Sequence, residues 1–205
     1  NWNINFIHGD ILNKEIVKKY CEDADIIHHL AGITNVPRVK SESNFDHDKK
    51  IKLVAEEGTQ NILDVINDRC KIIMPSTHVV FEGIQEVKKE ILEDETTSPV
   101  LSYGKSKDFN EKQLKQSGKN YIILRLGSVY GYSTDAVRID IMPNLFSKIA
   151  SQNGTIKLFA GGRQTKSLVP LIDVARCFKF MDEKKDISFE IFNLTKDTVT
   201  VKNVA

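Results

Sequence analysis

Short apolar runs alternate with helical stretches along most of this chain, and no other feature constrains its fold as strongly. Apolar and β-branched residues predict strands at 4–7, 25–30, 71–74 and 121–126, and helical spacing predicts helices at 14–21, 51–66, around 103–107 and at 141–149. Such an order predicts parallel strands joined by right-handed crossovers, with helices on both faces of the sheet. The chain is therefore expected to form an α/β fold with a doubly wound parallel sheet.

The last third of the chain has shorter elements. Segments at 156–159, 168–171 and 189–194 and a helix at 173–181 are predicted there, whereas residues 82–99 are charged and predicted to form a loop. We therefore expect a main domain over residues 1–135 and a smaller lobe over residues 136–205.

Charge and cysteine content exclude several classes of protein. The 29 basic and 28 acidic residues are spread along the chain, so it has no basic stripe for nucleic acid. Cys21, Cys70 and Cys177 have no CxxC spacing, which argues against a disulfide framework and a zinc site. No apolar run approaches the ~20 residues that span a bilayer. We expect a soluble, cytoplasmic protein that binds small molecules and neither metal, membrane nor nucleic acid.

Tyr103 and Lys107 are four residues apart in a predicted helix, so both side chains lie on one face. A nearby ammonium favours the phenolate form of a tyrosine, and a tyrosine tuned in this way can take a proton from an alcohol. The same spacing also occurs by chance on solvated helix faces. It is therefore a candidate acid/base pair that needs support from other residues.

Ser76 and Thr77 supply part of that support. They follow the apolar run 72–74 at the predicted carboxyl end of a strand, where open α/β sheets bind ligands. Their hydroxyls are thus predicted to converge with Tyr103 and Lys107 in one crevice. The alternative is that they satisfy backbone groups where the strand turns into a loop.

Eight motifs occur in the order found in one known family. They are HGDI at 8–11, HHLAG at 28–32, EGTQNIL at 57–63, PST at 75–77, SYGKSK at 102–107, LRLGSVYG at 124–131, GGRQTKSLVPLIDVA at 161–175 and FNL at 192–194. Together they resemble the NAD-dependent epimerase/dehydratase family of the extended short-chain dehydrogenase/reductase superfamily, particularly nucleotide-sugar 4-epimerases. The resemblance implies a Rossmann-like fold, with a partial NAD(P)-binding domain at 1–135. It also implies a partial substrate lobe with returning Rossmann elements at 136–205.

The resemblance also implies roles for individual residues. Two positions would contact the adenine of NAD, Asp10 and Ile11, and three would bring backbone against its phosphates and ribose, Leu30, Ala31 and Gly32. Tyr103 would take a sugar hydroxyl proton as hydride leaves the carbon. Lys107 would hold the ribose and lower the pKa of the tyrosine.

The remaining roles concern the substrate. By the same resemblance, the Thr77 hydroxyl would orient the substrate oxygen and complete the catalytic set. Ser128 and the stretch from Arg163 to Lys166 would lie near the phosphates of a nucleotide sugar.

The chain departs from the family pattern in several places. It has no GxxGxxG turn, the element that places a helix N-terminus under a dinucleotide pyrophosphate. We therefore expect this chain to be part of a longer protein and to lack the first two strands of the family's sheet. By itself, the chain should bind a dinucleotide only weakly. Dehydratases have an acidic pair where this chain has His78 and Val79. Ser128, Tyr132 and Ala55 replace an asparagine, a proline and another asparagine.

The sequence thus predicts an NAD-dependent nucleotide-sugar epimerase, with NADP as the alternative cofactor. The absence of the acidic pair disfavours a dehydratase. The alternatives are a keto-sugar or other small-carbonyl reductase, or a relative that binds cofactor without turnover. The resemblance further implies a homodimer formed through the helix at about 46–66 and the helix that carries Tyr103.

Overall fold

A computed structural model of the chain describes residues 4–34, 44–86, 88, 90–134 and 138–205. Its main sheet contains the parallel strands β1 (Ile26–His28), β2 (Lys71–Thr77), β3 (Asn120–Leu126) and β6 (Glu190–Leu194) in the order β1-β2-β3-β6. In the register of this sheet Ile73 lies opposite Ile122, and Leu124 lies opposite Phe192. The predicted α/β class and parallel sheet are confirmed.

Helices cover both faces of this sheet. The helices α1 (Lys14–Cys21), α2 (Phe45–Val65) and α3 (Ser102–Gln116) pack on one face against Ile72 and Met74. Helix α5 (Leu171–Glu183) packs on the other face against Ile73. Successive strand residues point to opposite faces, and both faces are buried. The strands are therefore continuously apolar instead of alternating with polar residues.

A second sheet lies in the later part of the chain. It has the order β4-β5-β7, with β4 (Ser128–Tyr130) parallel to β5 (Thr165–Pro170) and β7 (Asp197–Thr200) antiparallel to β5. The helices α4 (Met142–Ser151) and α6 (Val201–Val204) complete this part. Although α5 and β6 come after residue 135, they join the main sheet.

The predicted first strand is wrong. Residues 4–7 form no strand, and Ile4 and Phe6 are 72% and 87% exposed. A β-strand is stabilised by hydrogen bonds to a neighbour and by burial of its side chains. No described strand pairs with residues 4–7, so their apolar character alone does not produce one. The predicted strand at 25–30 is shorter than expected, since only Ile26–His28 forms the ladder.

The predicted helix at 14–21 is confirmed. Its N-cap is Asn13, whose Oδ1 accepts hydrogen bonds from the backbone N–H groups of Glu15 and Ile16 at 3.1 and 3.2 Å. Within the ranges that the structure describes, no helix combines the length and the apolar character that a membrane span requires.

Candidate active site

A cavity of about 820 Å³ opens at the carboxyl ends of β2 and β3. This is the edge at which open α/β sheets bind ligands. Most residues that the sequence predicted for the site line it together: Leu30, Ala31, Gly32, Thr77, Tyr103, Lys107, Ser128 and Lys166. Elements that are distant in sequence therefore meet around one space large enough for a small-molecule ligand.

Lys107 lies in α3 and is held at the floor of this cavity. Its Nζ donates a hydrogen bond to the carbonyl of Pro75 at 2.8 Å. Burial lowers the pKa of Lys107 to about 8, opposed by the negative charge of Glu111, one turn further along the helix. The ammonium still carries most of its charge at pH 7.

The pKa of Tyr103 corrects one expectation. The sequence predicted that Lys107 would favour its phenolate, but burial raises the pKa of Tyr103, and the positive charge that opposes this effect belongs to Arg138. Desolvation disfavours the charged form of a buried phenol. In this structure Tyr103 is therefore a neutral phenol, and Arg138 is the cation that favours its ionisation.

Ser76 and Thr77 have different roles in the structure. Ser76 Oγ donates a hydrogen bond to Glu111 Oε1 at 2.5 Å, so its hydroxyl hydrogen is already used within the protein. Thr77 Oγ1 accepts a bond from the backbone N–H of Val79 at 3.2 Å and caps the 3-10 turn His78–Phe81. Because that bond uses the oxygen as acceptor, the hydroxyl hydrogen of Thr77 stays available to a ligand.

A buried ion pair supports the floor of the cavity. Arg125 in β3 and Glu111 in α3 each have side chains that are 2% exposed, with Arg125 Nη2 2.7 Å from Glu111 Oε2. Arg125 Nη1 also donates to the carbonyl of Glu93 at 2.9 Å. This pair joins α3 to the sheet and fixes the helix that carries Tyr103 and Lys107.

Glu82 holds the first turn of the same helix. The residue at the N-cap of α3, Leu101, has no side-chain acceptor. Instead, Glu82 Oε1 accepts hydrogen bonds from the backbone N–H groups of Val100 and Leu101 at 2.9 and 2.7 Å. A carboxylate at a helix N-terminus is also favourable for the helix dipole. Sequence reasoning missed this role because Glu82 lies in a charged loop 18 residues or more before its partners.

A second, open cavity of about 580 Å³ adjoins the first, and Ala31 lines both. Its other lining residues include Asp10 and Ile11, which the family resemblance assigns to the adenine. Asp10 Oδ1 accepts a bond from the backbone N–H of Leu12 at 2.9 Å, which orders the loop before α1. The residues predicted for the cofactor thus border two neighbouring cavities, which share Ala31 and are together called the groove.

The EGTQNIL motif anchors this groove from α2. A Cβ at Gly58 would lie 2.9 Å from Cγ2 of Ile11, so glycine permits the close approach. Asn61 Nδ2 donates to the Ile11 carbonyl at 3.0 Å, and Thr59 Oγ1 is 2.8 Å from His29 Nε2. The motif therefore positions two loops and contributes no reactive group.

The substrate residues are only partly brought together. Ser128 and Lys166 line the main cavity, whereas Arg163 is exposed and lies outside its lining. Sequence reasoning missed Arg138 and Asn144, which do line it. Arg138 is in an irregular segment with no periodic pattern, so only its position in space identifies it.

The paired histidines have other partners than a metal. His28 Nε2 is 2.6 Å from Asp182 Oδ1, and His29 is buried against Thr59. Burial lowers the pKa of His29 to about 4, with the positive charge of Lys107 as a smaller cause. Among the described residues, no three or more His, Cys, Asp or Glu side chains are grouped to hold a metal ion.

Known proteins with related sequences and structures include nucleotide-sugar enzymes. A UDP-N-acetyl-alpha-D-glucosaminuronate decarboxylase from Bacillus cytotoxicus is 26% identical in an alignment 215 positions long, which covers 99% of this chain and 64% of that protein. A UDP-glucuronic acid 4-epimerase from Bacillus cereus, solved with UDP-glucuronic acid and NAD, is 26% identical with a TM-score of 0.78. The alignment covers 96% of this chain and 62% of the solved chain.

The same fold occurs at lower identity in a UDP-glucose 4-epimerase from Thermotoga maritima, solved with UDP-glucose, at 21% identity and a TM-score of 0.80. That alignment covers 98% of this chain and 66% of the solved chain, so this chain spans less than two thirds of these relatives. The model of the NAD dependent epimerase/dehydratase family matches residues 1–195. A match over nearly the whole chain, with the eight motifs and the parallel sheet, shows that the chain belongs to the NAD dependent epimerase/dehydratase family.

Proposed function

We propose that this chain forms the catalytic part of an NAD-dependent nucleotide-sugar epimerase. The observation that carries the proposal is that Thr77, Tyr103 and Lys107 line one cavity in a chain of this family. A hydroxyl, a phenol and an ammonium converging on one space can hold an alcohol and move its proton.

The residues present fit NAD along the groove. Asp10 and Ile11 border one cavity, Leu30 and Gly32 border the other, and Ala31 joins them. We assign the adenine to the first end, the ribose to Lys107, and the intervening groups to the loop at 30–32. When bound, NAD supplies a hydride acceptor that can return the hydride to the sugar.

The chain's own residues handle the proton. In the proposed reaction, Tyr103 Oη takes the proton of a sugar hydroxyl as hydride leaves the same carbon, and gives it back when the hydride returns to the opposite face of the sugar. Arg138 supplies positive charge that favours the transient phenolate. The hydroxyl of Thr77 donates to the reacting oxygen and fixes its position.

We assign a nucleotide sugar to the part of the cavity beyond Tyr103. Lys166 and Ser128 line this cavity and are assigned to the phosphates of the nucleotide sugar, whereas Arg163 is exposed outside the lining and receives no role in the proposed site. Solved relatives bind UDP-glucose and UDP-glucuronic acid. Thus a UDP-sugar is the first substrate to test.

Epimerisation is favoured over dehydration because His78 and Val79 stand where dehydratases have an acidic pair. Water elimination needs a proton donor and a base beyond Tyr103. In the whole protein that contains this chain, a UDP-sugar should convert to its epimer without accumulating NADH or a 4-keto-6-deoxy product. Stoichiometric formation of NADH would favour the dehydrogenase or reductase alternative instead.

Tyr103→Phe tests the role of the base. It removes only the hydroxyl, so kcat should fall about 100- to 10,000-fold, the range for loss of a positioned acid/base group. Affinity for NAD, measured by calorimetry, should stay within a few-fold. A variant with wild-type turnover would refute the assignment.

The homodimer is a further proposal. α2 and α3 already pack on each other, since Asn110 Nδ2 donates to the Ala55 carbonyl at 3.0 Å and Gln113 Nε2 to the Glu56 carbonyl at 3.1 Å. We propose that this helix pair meets its copy in a second chain. Sedimentation at micromolar concentration should show a dimer, and a monomer would overturn the proposal.

The cytoplasmic location also stays a prediction, to be tested by fractionation.

A further inference from the structure

His78 lies directly beside the proposed catalytic threonine and lines the same cavity. It begins the 3-10 turn that Thr77 caps, so its position is fixed by the same bond that fixes the threonine. No catalytic role in the proposed reaction requires it. A polar ring at this place therefore calls for a separate explanation.

One ring nitrogen of His78 is already used. Its Nδ1 is 3.0 Å from the carbonyl oxygen of Leu126, at the end of β3. A carbonyl only accepts hydrogen bonds, so Nδ1 carries the proton. In the neutral ring the other nitrogen, Nε2, then has a free lone pair and is an acceptor.

His78 lines the main cavity, and Nε2 is its ring nitrogen without a hydrogen-bond partner among the described residues. Nε2 is also not among the buried nitrogens that lack a hydrogen-bond partner, whereas Nδ1 of His29 is one of them. Burial lowers the pKa of His78, as does the charge of Lys166, while the Leu126 carbonyl and Glu82 act in the opposite direction. The ring is thus held as a neutral acceptor at the cavity wall.

We propose that His78 Nε2 accepts a hydrogen bond from the sugar hydroxyl next to the reacting carbinol, which makes His78 a specificity-determining residue. The inference rests on the proposed function, since Thr77 and Tyr103 must hold the reacting oxygen. His78 follows Thr77 directly, so the group it meets belongs to a neighbouring carbon. An acceptor held in place selects a sugar that offers a hydroxyl there over one that lacks it.

Two variants separate Nε2 from the rest of the ring. His78→Asn places an amide N–H where Nδ1 was, so it keeps a donor for the Leu126 carbonyl and removes Nε2. His78→Gln extends its amide oxygen towards the former position of Nε2 and restores an acceptor. Thermal unfolding should show both variants folded, which separates a loss of specificity from a loss of structure.

The experiment compares kcat/KM for UDP-glucose with kcat/KM for two analogues: the 3-deoxy sugar, which lacks the hydroxyl on the carbon next to the 4-position, and the 6-deoxy sugar, whose missing hydroxyl is two carbons away and serves as the control. The wild-type protein should discriminate against the 3-deoxy analogue by about 10- to 100-fold, as for loss of one hydrogen bond, and less against the 6-deoxy analogue. His78→Asn should abolish that discrimination, and His78→Gln should recover part of it. His78→Asn should retain the pH dependence of turnover, since Tyr103 is untouched.

The outcomes distinguish the two proposals. If the wild-type protein epimerises UDP-glucose and His78→Asn discriminates as the wild type does, the role of His78 is overturned and the epimerase proposal stands. If His78→Asn slows all three sugars equally, the ring is only structural and the inference also fails. If the wild type epimerises none of them, the proposed function fails for this sugar class, and the inference fails with it.

Discussion

Two buried cations near the candidate active site have opposite surroundings. Arg125 is bonded to both carboxylate oxygens of Glu111, with Nε 3.0 Å from Oε1 and Nη2 2.7 Å from Oε2, and its guanidinium lies 4.9 Å from the centre of the Phe81 ring. Lys107 is also buried, yet its recorded bond is to one neutral carbonyl, that of Pro75. Both cations pack against α3 or belong to it.

The difference teaches how a charge is used. The carboxylate of Glu111 compensates the desolvation of Arg125, so this pair links α3 to the sheet. For Lys107 the charge of Glu111 only partly compensates the desolvation, so its pKa is lowered, and it lines the cavity where a ligand can supply further contacts. A fully paired buried charge here supports structure, whereas an incompletely paired one is available for function at the expense of stability.

The largest expected effect comes from breaking the complete pair. Arg125→Met should lower the free energy of unfolding by about 3–5 kcal/mol, because it leaves the carboxylate of Glu111 buried without its cation. Urea unfolding measures this loss. Arg176→Met is the matched control, since Arg176 is 73% exposed and bonded to Asp173 at 3.1 Å. It should change stability by less than ~1 kcal/mol.

A double replacement sharpens the same test. Arg125→Met with Glu111→Leu removes both charges and should recover most of the stability lost in the single variant. If the single variant is as stable as the Arg176 control, the pair does not support α3 and the comparison fails.

The buried His29 allows the cost of burying an ionisable group to be tested by the pH dependence of stability. The folded-state pKa of His29 is lowered to about 4 from an ordinary value of 6.5, so the unfolded chain binds this proton first. Its contribution to stability is complete above pH 6.5 and is lost as the pH falls to about 4. The loss should be about 2–3 kcal/mol at ~1.4 kcal/mol per pKa unit.

His29→Gln isolates this contribution, because glutamine does not titrate and its amide can still reach Thr59. Between pH 7 and pH 4.5, the free energy of unfolding should decrease more in the wild type than in the variant. Equal slopes would show that His29 does not stay neutral in the fold.

Lys107→Met should stabilise the chain by about 1–3 kcal/mol at pH 7, because it removes a buried charge whose desolvation Glu111 compensates only in part. The wild-type lysine has a folded pKa of about 8 against an ordinary 10.5. Wild-type stability should therefore rise between pH 8 and 10.5 as the folded ammonium loses its proton, and the gain from Met should shrink. Urea unfolding at pH 7 and 9.5 checks both signs.

Turnover of Lys107→Met should be lost while its stability rises. This opposition is the strongest sign of a residue kept for function. A variant that is less stable at pH 7 would mean that the hydrogen bond to Pro75 compensates the burial of Lys107. Lys107 would then be a buried cation that supports the structure, as Arg125 is.

The smallest effect concerns Arg138. Because its charge lowers the pKa of Tyr103, Arg138→Gln should raise that pKa and move the rising limb of the pH profile of kcat/KM upward by about 0.3–1 pH unit. Arg138→Lys keeps the charge and should shift the profile less. High salt should reduce the difference, since Arg138 is 47% exposed. An unchanged profile would remove Arg138 from the control of Tyr103.

The sequence by itself determined the fold class and the type of most elements. Periodicity predicted the helix at 14–21 and the strand at 121–126. Apolar residues recur with different periods in helices and in strands, and this pattern can be read from residues that are close together in the sequence. The spacing of Tyr103 and Lys107 likewise placed both on one helix before any tertiary information. The motifs in their order predicted the family.

Only the tertiary structure decided which apolar runs became strands and how the site is charged. Residues 4–7 resemble residues 72–74 in composition, yet Ile73 is 0% exposed between paired strands while Phe6 is 87% exposed. Burial raises the pKa of Tyr103, and the charge of Arg138, from an irregular segment, opposes this effect. Strand pairing and desolvation depend on what the rest of the chain brings near a residue, which no local pattern contains.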